Sequence, residues 1–521
     1  MKILLFFLLF SLNTFAFEND LAQTRLGEVK GFSKNGVTAF LGIPYAKPPV
    51  ENLRWKAPVP MEKWDKPMSC DKFGYSCPQP ESSFTINTGS KQDEDCLTLN
   101  IWSGAKSKDD KLPVMVFIHG GGFYLGSSAQ PVFNSSTFAK HGVILVSINY
   151  RLGPLGFLAH PELSNESEIK TSGNYGLLDQ IAALKWVKQN ISAFGGDVNN
   201  ITLFGQSAGG VSVSLLMTSP LSKEIFNKAI IQSGWAPKRL RPLKSTGDAA
   251  FPSMEDIGNA FLKHLKVKSI SEARKRGYGN LLNAWKETLY DFPAGTTGAE
   301  SSSVNHIAID GYAVIEAPYS AFSGGRAMNI PLMTGITENE GSLFSGFTGI
   351  RKLKDYEKYV RKTFGSKAEK ILNIYPAEND KAIHKILSEL LGDSLFVDGA
   401  VSLAKFSRKQ QNNTWLYVFS KLSYRFETDG LGSFHGSELP YLFNSTTITG
   451  AGLTDKDSVF AKGVMGYWIN FAKTGNPNGE GLPEWKPFDI SSNNYLSLKE
   501  GFPQGEGLKQ KQAEFFELFS K

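Results

Sequence analysis

The sequence predicts an α/β fold: one large, mostly parallel central sheet flanked by helices, in a single domain. Three observations carry that reading. Short apolar runs of strand length (Val114–Ile118, Val143–Ile148, Ile201–Phe204, Ile330–Met333) alternate with helical patterns from end to end. No linker, repeat or low-complexity block divides the 521 residues, although that length alone suggests two domains. Finally, the run Ile201–Phe204 passes through Gly205-Gln206-Ser207-Ala208-Gly209 straight into a helical stretch holding Val211, Val213, Leu215, Leu216 and Met217.

Taken in order, Met1–Ala16 has one early charge, Lys2, an apolar run from Ile3 to Phe10 and Thr14-Phe15-Ala16 before Phe17. That pattern predicts a secretory signal peptide, residues 1–16, ahead of a mature chain of residues 17–521. The apolar run falls short of the roughly 20 residues a membrane anchor needs. The charged C-terminus, Lys509–Lys521, carries neither a lipid-anchor signal nor a retention tetrapeptide. The expectation is an exported protein, secreted or periplasmic, without a stable membrane anchor.

The three cysteines (Cys70, Cys77, Cys96) allow one disulfide and leave one thiol over, and residue arithmetic does not choose the pair. None has metal-ligand spacing with a histidine. Six Asn-x-Ser/Thr sequons (Asn134, Asn165, Asn190, Asn200, Asn412, Asn444) would matter in a eukaryotic secretory pathway, with Asn200 too near the predicted strand to be modified. The net charge of +6 is spread along the chain. Its densest basic stretch, Lys266–Arg276, lacks aromatics and phosphate-cradling glycines, so it reads as a solvated helix face and no nucleic-acid partner is expected.

Thr38–Pro49 reads as strand and turn packing. Glu94–Trp102 alternates apolar and polar residues as a half-buried strand does. Val114–Ile118 is a fully apolar strand that leads into His119-Gly120-Gly121-Gly122-Phe123. Three glycines after a buried strand let backbone N–H groups converge, as an oxyanion hole requires. A phosphate loop would need Lys-Ser/Thr after the glycines, and Phe123-Tyr124 stand there instead. Val143–Ile148 is a further buried strand. Gly176–Asn190 has the spacing of an amphipathic helix with Ile181, Leu184, Trp186 and Val187 on its apolar side. Arg151 and Asp179 read more simply as a structural ion pair than as site residues.

The central motif Gly205-Gln206-Ser207-Ala208-Gly209 fits the G-x-S-x-G elbow, in which a sharp strand-to-helix turn exposes a serine hydroxyl at a helix N-terminus. A lone serine is a poor nucleophile; it needs a base, an acid to orient the base and an oxyanion hole.

In this setting the chain resembles the type-B carboxylesterase/lipase family, the cholinesterase-like branch of the α/β-hydrolases. The matching pieces are Phe40–Ala46, Glu94–Trp102, His119–Phe123, Asn149–Gly153, Gly173–Gln180, Phe194–Asp197 and Phe204–Gly210, in that order. The resemblance covers nearly the whole mature chain and implies an α/β-hydrolase fold. It implies an acid at Glu340, in Gly335-Ile-Thr-Glu-Asn-Glu-Gly-Ser342, with Glu338 as the decoy. It implies a base at His435, in Gly432-Ser-Phe-His-Gly-Ser-Glu-Leu-Pro440, which residue reading alone could not pick from seven histidines.

The order Ser207, Glu340, His435 is that of α/β-hydrolases. By the same resemblance the oxyanion hole is Gly121, Gly122 and Ala208, Cys77 pairs with Cys96 leaving Cys70 free, and Arg54–Glu94 and Arg151–Asp179 are structural ion pairs. The implied activity is carboxylic ester hydrolysis through an acyl-enzyme, with no metal or cofactor. The other histidines read as surface or loop residues, with His119 structural.

Departures from the family narrow the substrate. No Trp lies between Cys77 and Cys96, where cholinesterases bind a quaternary ammonium, so choline esters are not expected. Glu300–His306 stands where many relatives carry phenylalanines, which implies a roomy acyl pocket. Gln206 replaces a common Glu, as in juvenile hormone esterases. The alternatives are a non-catalytic, neuroligin-like recognition protein, or a specialised lipase or juvenile-hormone-type esterase. The first usually loses the serine or histidine and carries a membrane stalk; the second differs only in its pocket.

Overall fold

The computed structural model describes residues 20–80, 88–248, 251–292, 306–422, 430–445 and 455–518. The predicted leader, residues 1–16, the segment 300–305 and part of the loop between Cys77 and Cys96 (residues 81–87) lie outside them.

The central sheet has eleven strands: β1 (Phe32–Lys34), β2 (Val37–Pro44), β3 (Thr98–Ser103), β4 (Leu112–Ile118), β5 (Ile144–Ile148), β6 (Gly196–Gln206), β7 (Lys228–Gln232), β8 (Leu332–Thr337), β9 (Thr414–Phe419), β10 (Tyr495–Leu498) and β11 (Gln504–Gly505). Their spatial order is β11-β10-β9-β8-β7-β6-β4-β5-β3-β2-β1. The block from β10 to β5 is parallel, and the edges beyond it pair antiparallel. A mostly parallel sheet is thus observed, with a mixed rim.

Alternation along the strands explains why both faces are covered. Val114, Val116 and Ile118 of β4 join the apolar core on one face, while Met115 and Phe117 join the core on the other. A parallel sheet has to be buried on both faces, which is why these strands read as continuous apolar runs. The first face is packed by helices α1 (Tyr175–Asn190), α2 (Ala208–Thr218) and α7 (Asp398–Lys409), the second by α8 (Asp455–Thr474). A third apolar cluster gathers α3 (Met254–His264) and α4 (Tyr278–Asp291) around Trp285. Helices α5 (Gly341–Phe347) and α6 (Ile383–Gly392) follow β8 and complete the rim over the strand ends.

One element differs from the sequence expectation. β3 alternates in sequence but is buried along its whole length. Its polar residue Asn100 is satisfied internally: Oδ1 accepts from the Gly42 N–H at 2.9 Å, and Nδ2 donates to Ser128 Oγ and Ser147 Oγ at 3.1 Å each. A polar residue whose bonds are all made inside has no need of water. Helix α1 is amphipathic as expected, with Ile181, Leu184, Trp186 and Val187 buried and Lys185 and Gln189 exposed; near its start Asp179 meets Arg151 and Gln180 Nε2 donates to Ser212 Oγ at 3.0 Å.

The strand order reverses between β4 and β6. The chain leaves β4 for β5 on one side, then returns to place β6 on the other. Such switch points open a crevice at the carboxyl ends of the strands, where ligands of open α/β sheets bind.

Beneath it, Arg151 and Asp179 form a two-bond pair at 2.7 Å each, with side chains 3% and 0% exposed. Removing one charge of a buried pair leaves the other uncompensated. Asp179→Asn is therefore expected to lose about 3–5 kcal/mol, read from the urea unfolding midpoint, and Arg151→Met/Asp179→Leu to lose less.

Candidate active site

Ser207 occupies the crevice. It follows β6 directly and caps α2 with φ 58° and ψ −125°, a left-handed backbone that is rare for a serine. Its N–H donates to the Gln232 carbonyl at 2.9 Å, and its own carbonyl accepts from Val211 N–H at 2.9 Å, so both sides of the turn are pinned. The flanking glycines are required by close approach. A Cβ on Gly209 would collide with the carbonyl oxygen of Ile118, and one on Gly205 with the Gly209 backbone.

The glycine-rich loop leaves the adjacent strand, β4. Gly121 and Gly122 have φ of 110° and 64°, which side chains seldom tolerate. A Cβ on Gly120 would lie 2.9 Å from both Gln206 Oε1 and Ser207 Cβ, so this loop touches the serine turn. Among the described residues, no protein acceptor is bonded to the N–H groups of Gly121, Gly122 or Ala208. Three amide donors without an internal acceptor thus lie in this loop and at the start of α2, next to the serine turn.

Glu340 and His435 come together at the ends of β8 and β9. Glu340 is buried and Glu338 is exposed. One Glu340 oxygen accepts from the Thr337 N–H at 2.8 Å and the other from His435 Nδ1 at 2.6 Å. A carboxylate can only accept, so Nδ1 carries the proton and Nε2 presents its lone pair. Asn339 fastens the two loops: its N–H donates to the Ser433 carbonyl and its Oδ1 accepts from the Ser433 N–H, both at 3.0 Å. The imidazole packs against both Phe344 of α5 (5.1 Å between centroids) and Phe396 (4.8 Å), which stack on each other at 5.7 Å, and Trp235 stands edge-on to Phe396 at 5.5 Å.

Two glutamines that sequence reading did not assign hold the histidine loop. Gln206 Nε2 donates to His435 Nε2 at 3.2 Å. Gln232 Nε2 donates to Glu438 Oε1 at 3.2 Å. They are direct cross-strand partners, so their side chains leave the same face of the sheet. No hydrogen bond joins Ser207 Oγ to His435; the Gln206 amide holds Nε2 in this state. Burial, followed by the neighbouring Glu340 carboxylate, pushes the Glu438 carboxyl up to about 7. The signal for these glutamines is their strand-end position, which has meaning only once β6 and β7 are known to pair.

The remaining sequence assignments sort clearly. His119 is buried, stacks on Tyr150 at 4.5 Å and donates from Nδ1 to the Gly120 carbonyl at 2.8 Å; burial lowers it to about 4, so it stays neutral and structural. His160 and His306 lie in loops as read, and both are buried. His160 Nδ1 accepts from Glu162 N–H at a helix start, and His306 sits among Tyr124, Phe157 and Trp285.

A disulfide joins Cys77 to Cys96, and Cys70 is a buried thiol pushed up to about 12, mainly by burial. Arg54 binds Glu94 (Nε to Oε2, 2.8 Å) and two backbone carbonyls, a structural set. Among the described residues no cluster of three or more His, Cys, Asp or Glu is placed to ligate a metal, and no helix is long and apolar enough to cross a membrane.

The chain is similar to known proteins over almost its full length. The model of the carboxylesterase family matches residues 18–516. The para-nitrobenzyl esterase of Bacillus subtilis (strain 168) is 36% identical, covering 92% of this chain and 95% of its own. The fumonisin B1 esterase of Sphingopyxis macrogoltabida is 35% identical, covering 93% and 87%. A solved thermophilic PNB esterase superposes with a TM-score of 0.80 at 32% identity, covering 96% of this chain and 100% of its own. With an α/β-hydrolase sheet, a serine at its switch point and relatives of this kind, the chain belongs to the carboxylesterase family and is a carboxylic ester hydrolase.

Proposed function

We propose that the protein hydrolyses uncharged carboxylic esters by two acyl transfers through Ser207, with His435 as base and Glu340 as its orienting acid. The single observation that supports this most is the 2.6 Å bond from His435 Nδ1 to the buried Glu340, made at the strand ends beside the serine turn. It leaves Nε2, the nitrogen a serine proton must reach, as the acceptor. Relatives named for para-nitrobenzyl esters and for fumonisin B1 support ester substrates in general. The aromatic wall of Phe344, Phe396 and Trp235 supports an uncharged group near the imidazole.

In the first half, Ser207 Oγ displaces the Gln206 amide from Nε2, passes its proton there and bonds to the ester carbonyl carbon. The oxyanion takes hydrogen bonds from Gly121, Gly122 and Ala208 N–H, which need no reorganisation because nothing else holds them. Collapse breaks the bond to the alcohol oxygen, which leaves with the proton from Nε2. In the second half water gives its proton to Nε2 and adds to the acyl carbon; the bond to Ser207 Oγ then breaks, Nε2 returns that proton to Oγ, and the acid is released. Glu340 stays ionised throughout and balances the imidazolium.

The Cys77–Cys96 disulfide supports export, because such bonds persist in oxidising compartments. N-terminal sequencing of the natural product is expected to begin at Phe17; a product that retains Met1–Ala16 removes the export proposal.

Steady turnover of p-nitrophenyl esters is expected to fall by roughly a thousandfold or more in Ser207→Ala. A folded Ser207→Ala that keeps its rate would end the acyl-enzyme proposal and leave a recognition protein as the reading. Glu340→Gln is expected to cost about 10⁴ in kcat, since an amide permits the wrong imidazole tautomer. The exposed Glu338→Gln should stay within about threefold of the parent. The pair of rates assigns the acid.

A further inference from the structure

We propose that Glu438 is a positioning residue held as the neutral acid, so that the site of Glu340 and His435 contains one anion and not two. The inference rests on the proposed roles of Glu340 and His435 and adds a second carboxyl to that site.

Glu438 is 1% exposed. Its Oε1 accepts one neutral donor, Gln232 Nε2, and its Oε2 has no partner among the described residues. Among the described residues no lysine or arginine pairs with it. The titratable groups that face it are Glu340 from the end of β8, His435 from its own loop and Tyr417 from β9. Tyr417 lies against the bare backbone of Gly335, and its buried hydroxyl is pushed well above its ordinary value by burial, then by Glu438 and Glu340, against a contact with Gln232; it supplies no cation.

Glu340 has the stronger claim on the negative charge. It has the Thr337 backbone N–H on one oxygen and the imidazole N–H on the other, whereas Glu438 has only neutral donors, the Gln232 amide and its own backbone N–H. Two carboxyls sharing a buried site cannot both ionise cheaply, and the proton goes to the one with poorer donors. Burial and Glu340 accordingly raise the Glu438 carboxyl from 4.5 to about 7. A second anion here would overstabilise the imidazolium and leave Nε2 protonated, with no base for Ser207. As the neutral acid, Glu438 keeps the Gln232 bond and anchors the loop three residues from His435 without adding charge.

The test uses Glu438→Ala and Glu438→Gln in the full-length chain. Glu438→Ala should lose about tenfold or more in kcat/KM, and Glu438→Gln should recover to within about threefold of the parent with the acid-limb inflection of kcat/KM unmoved. An acid limb displaced downward by about one pH unit in Glu438→Gln would mean that an anion had been removed, and would overturn the proposal.

Thermal unfolding gives a readout free of activity. Between 4.5 and about 7 the unfolded chain has released the Glu438 proton while the folded chain retains it. Parental stability relative to Glu438→Gln therefore falls as pH rises across that window, being fully present below it. A difference that moves in the opposite direction overturns the proposal, whichever variants are active. Activity retained by Ser207→Ala would instead remove the acyl-enzyme reading and leave this stability titration to report Glu438 by itself.

Discussion

The structure turns on how closely two backbones pass at the end of β4 and β6. Ile118 pairs with Gly205, and the Ile118 carbonyl lies where a side chain on Gly209 would be. That approach forces the chain to reverse within a few residues and puts Ser207 in left-handed backbone, a strain of about 1–3 kcal/mol. The strain is offset by the surroundings: β6 is buried from Ile201 to Gln206, α2 is buried through Met217, and the Ser207 N–H is bonded to β7. The same closeness brings the glycine loop of β4 against the serine. One steric constraint thus leaves the Ser207 turn partly exposed and sets the glycine loop beside it.

Buried charge is handled in two ways within the same sheet. Arg151 and Asp179 neutralise each other with two parallel bonds and a further one from the Arg151 N–H, a closed arrangement with little for a substrate to engage. Glu340 and His435 make only one bond, and the imidazole keeps a nitrogen free of protons. The aromatic rings of Phe344 and Phe396 exclude water from that bond, which strengthens it at low local dielectric. A pair held by two parallel bonds, with only Arg151 Nη1 lacking a partner among the described residues, serves the fold, while a pair whose imidazole keeps a lone pair on Nε2 can move a proton.

The elbow and the glycine loop were legible in the sequence because their cause is local: an apolar run, glycines at fixed offsets and a helix that follows. Glu340 and His435 were legible only through the family pattern, since 95 residues separate them and a lone carboxylate or imidazole has no local signature. Burial was misjudged where a polar side chain makes its bonds internally: Asn100 made β3 look half exposed. The burial of the loop histidines His160 and His306, one capping a helix and the other boxed by rings, depends on contacts distant in sequence. Gln206 stood out only as a replacement for a common Glu and Gln232 gave no signal, because their common purpose depends on strands that pair across 26 residues.

That pairing explains why the imidazole has so little freedom. Gln206, Gln232, Gly335 and Tyr417 form one row across β6, β7, β8 and β9, and side chains in such a row share a face. Gly335 lacks a side chain, so Tyr417 can lie across it toward the glutamines. The row presents two amides to a single loop, one at His435 and one at Glu438, while Asn339 ties that loop to the acid. A slip of one residue in any of these strands would turn its member of the row to the opposite face and loosen the histidine. The apolar alternation of Phe204, Ile230, Met333 and Trp415 on that face forbids the slip, so the packing that holds the sheet in register also aims His435.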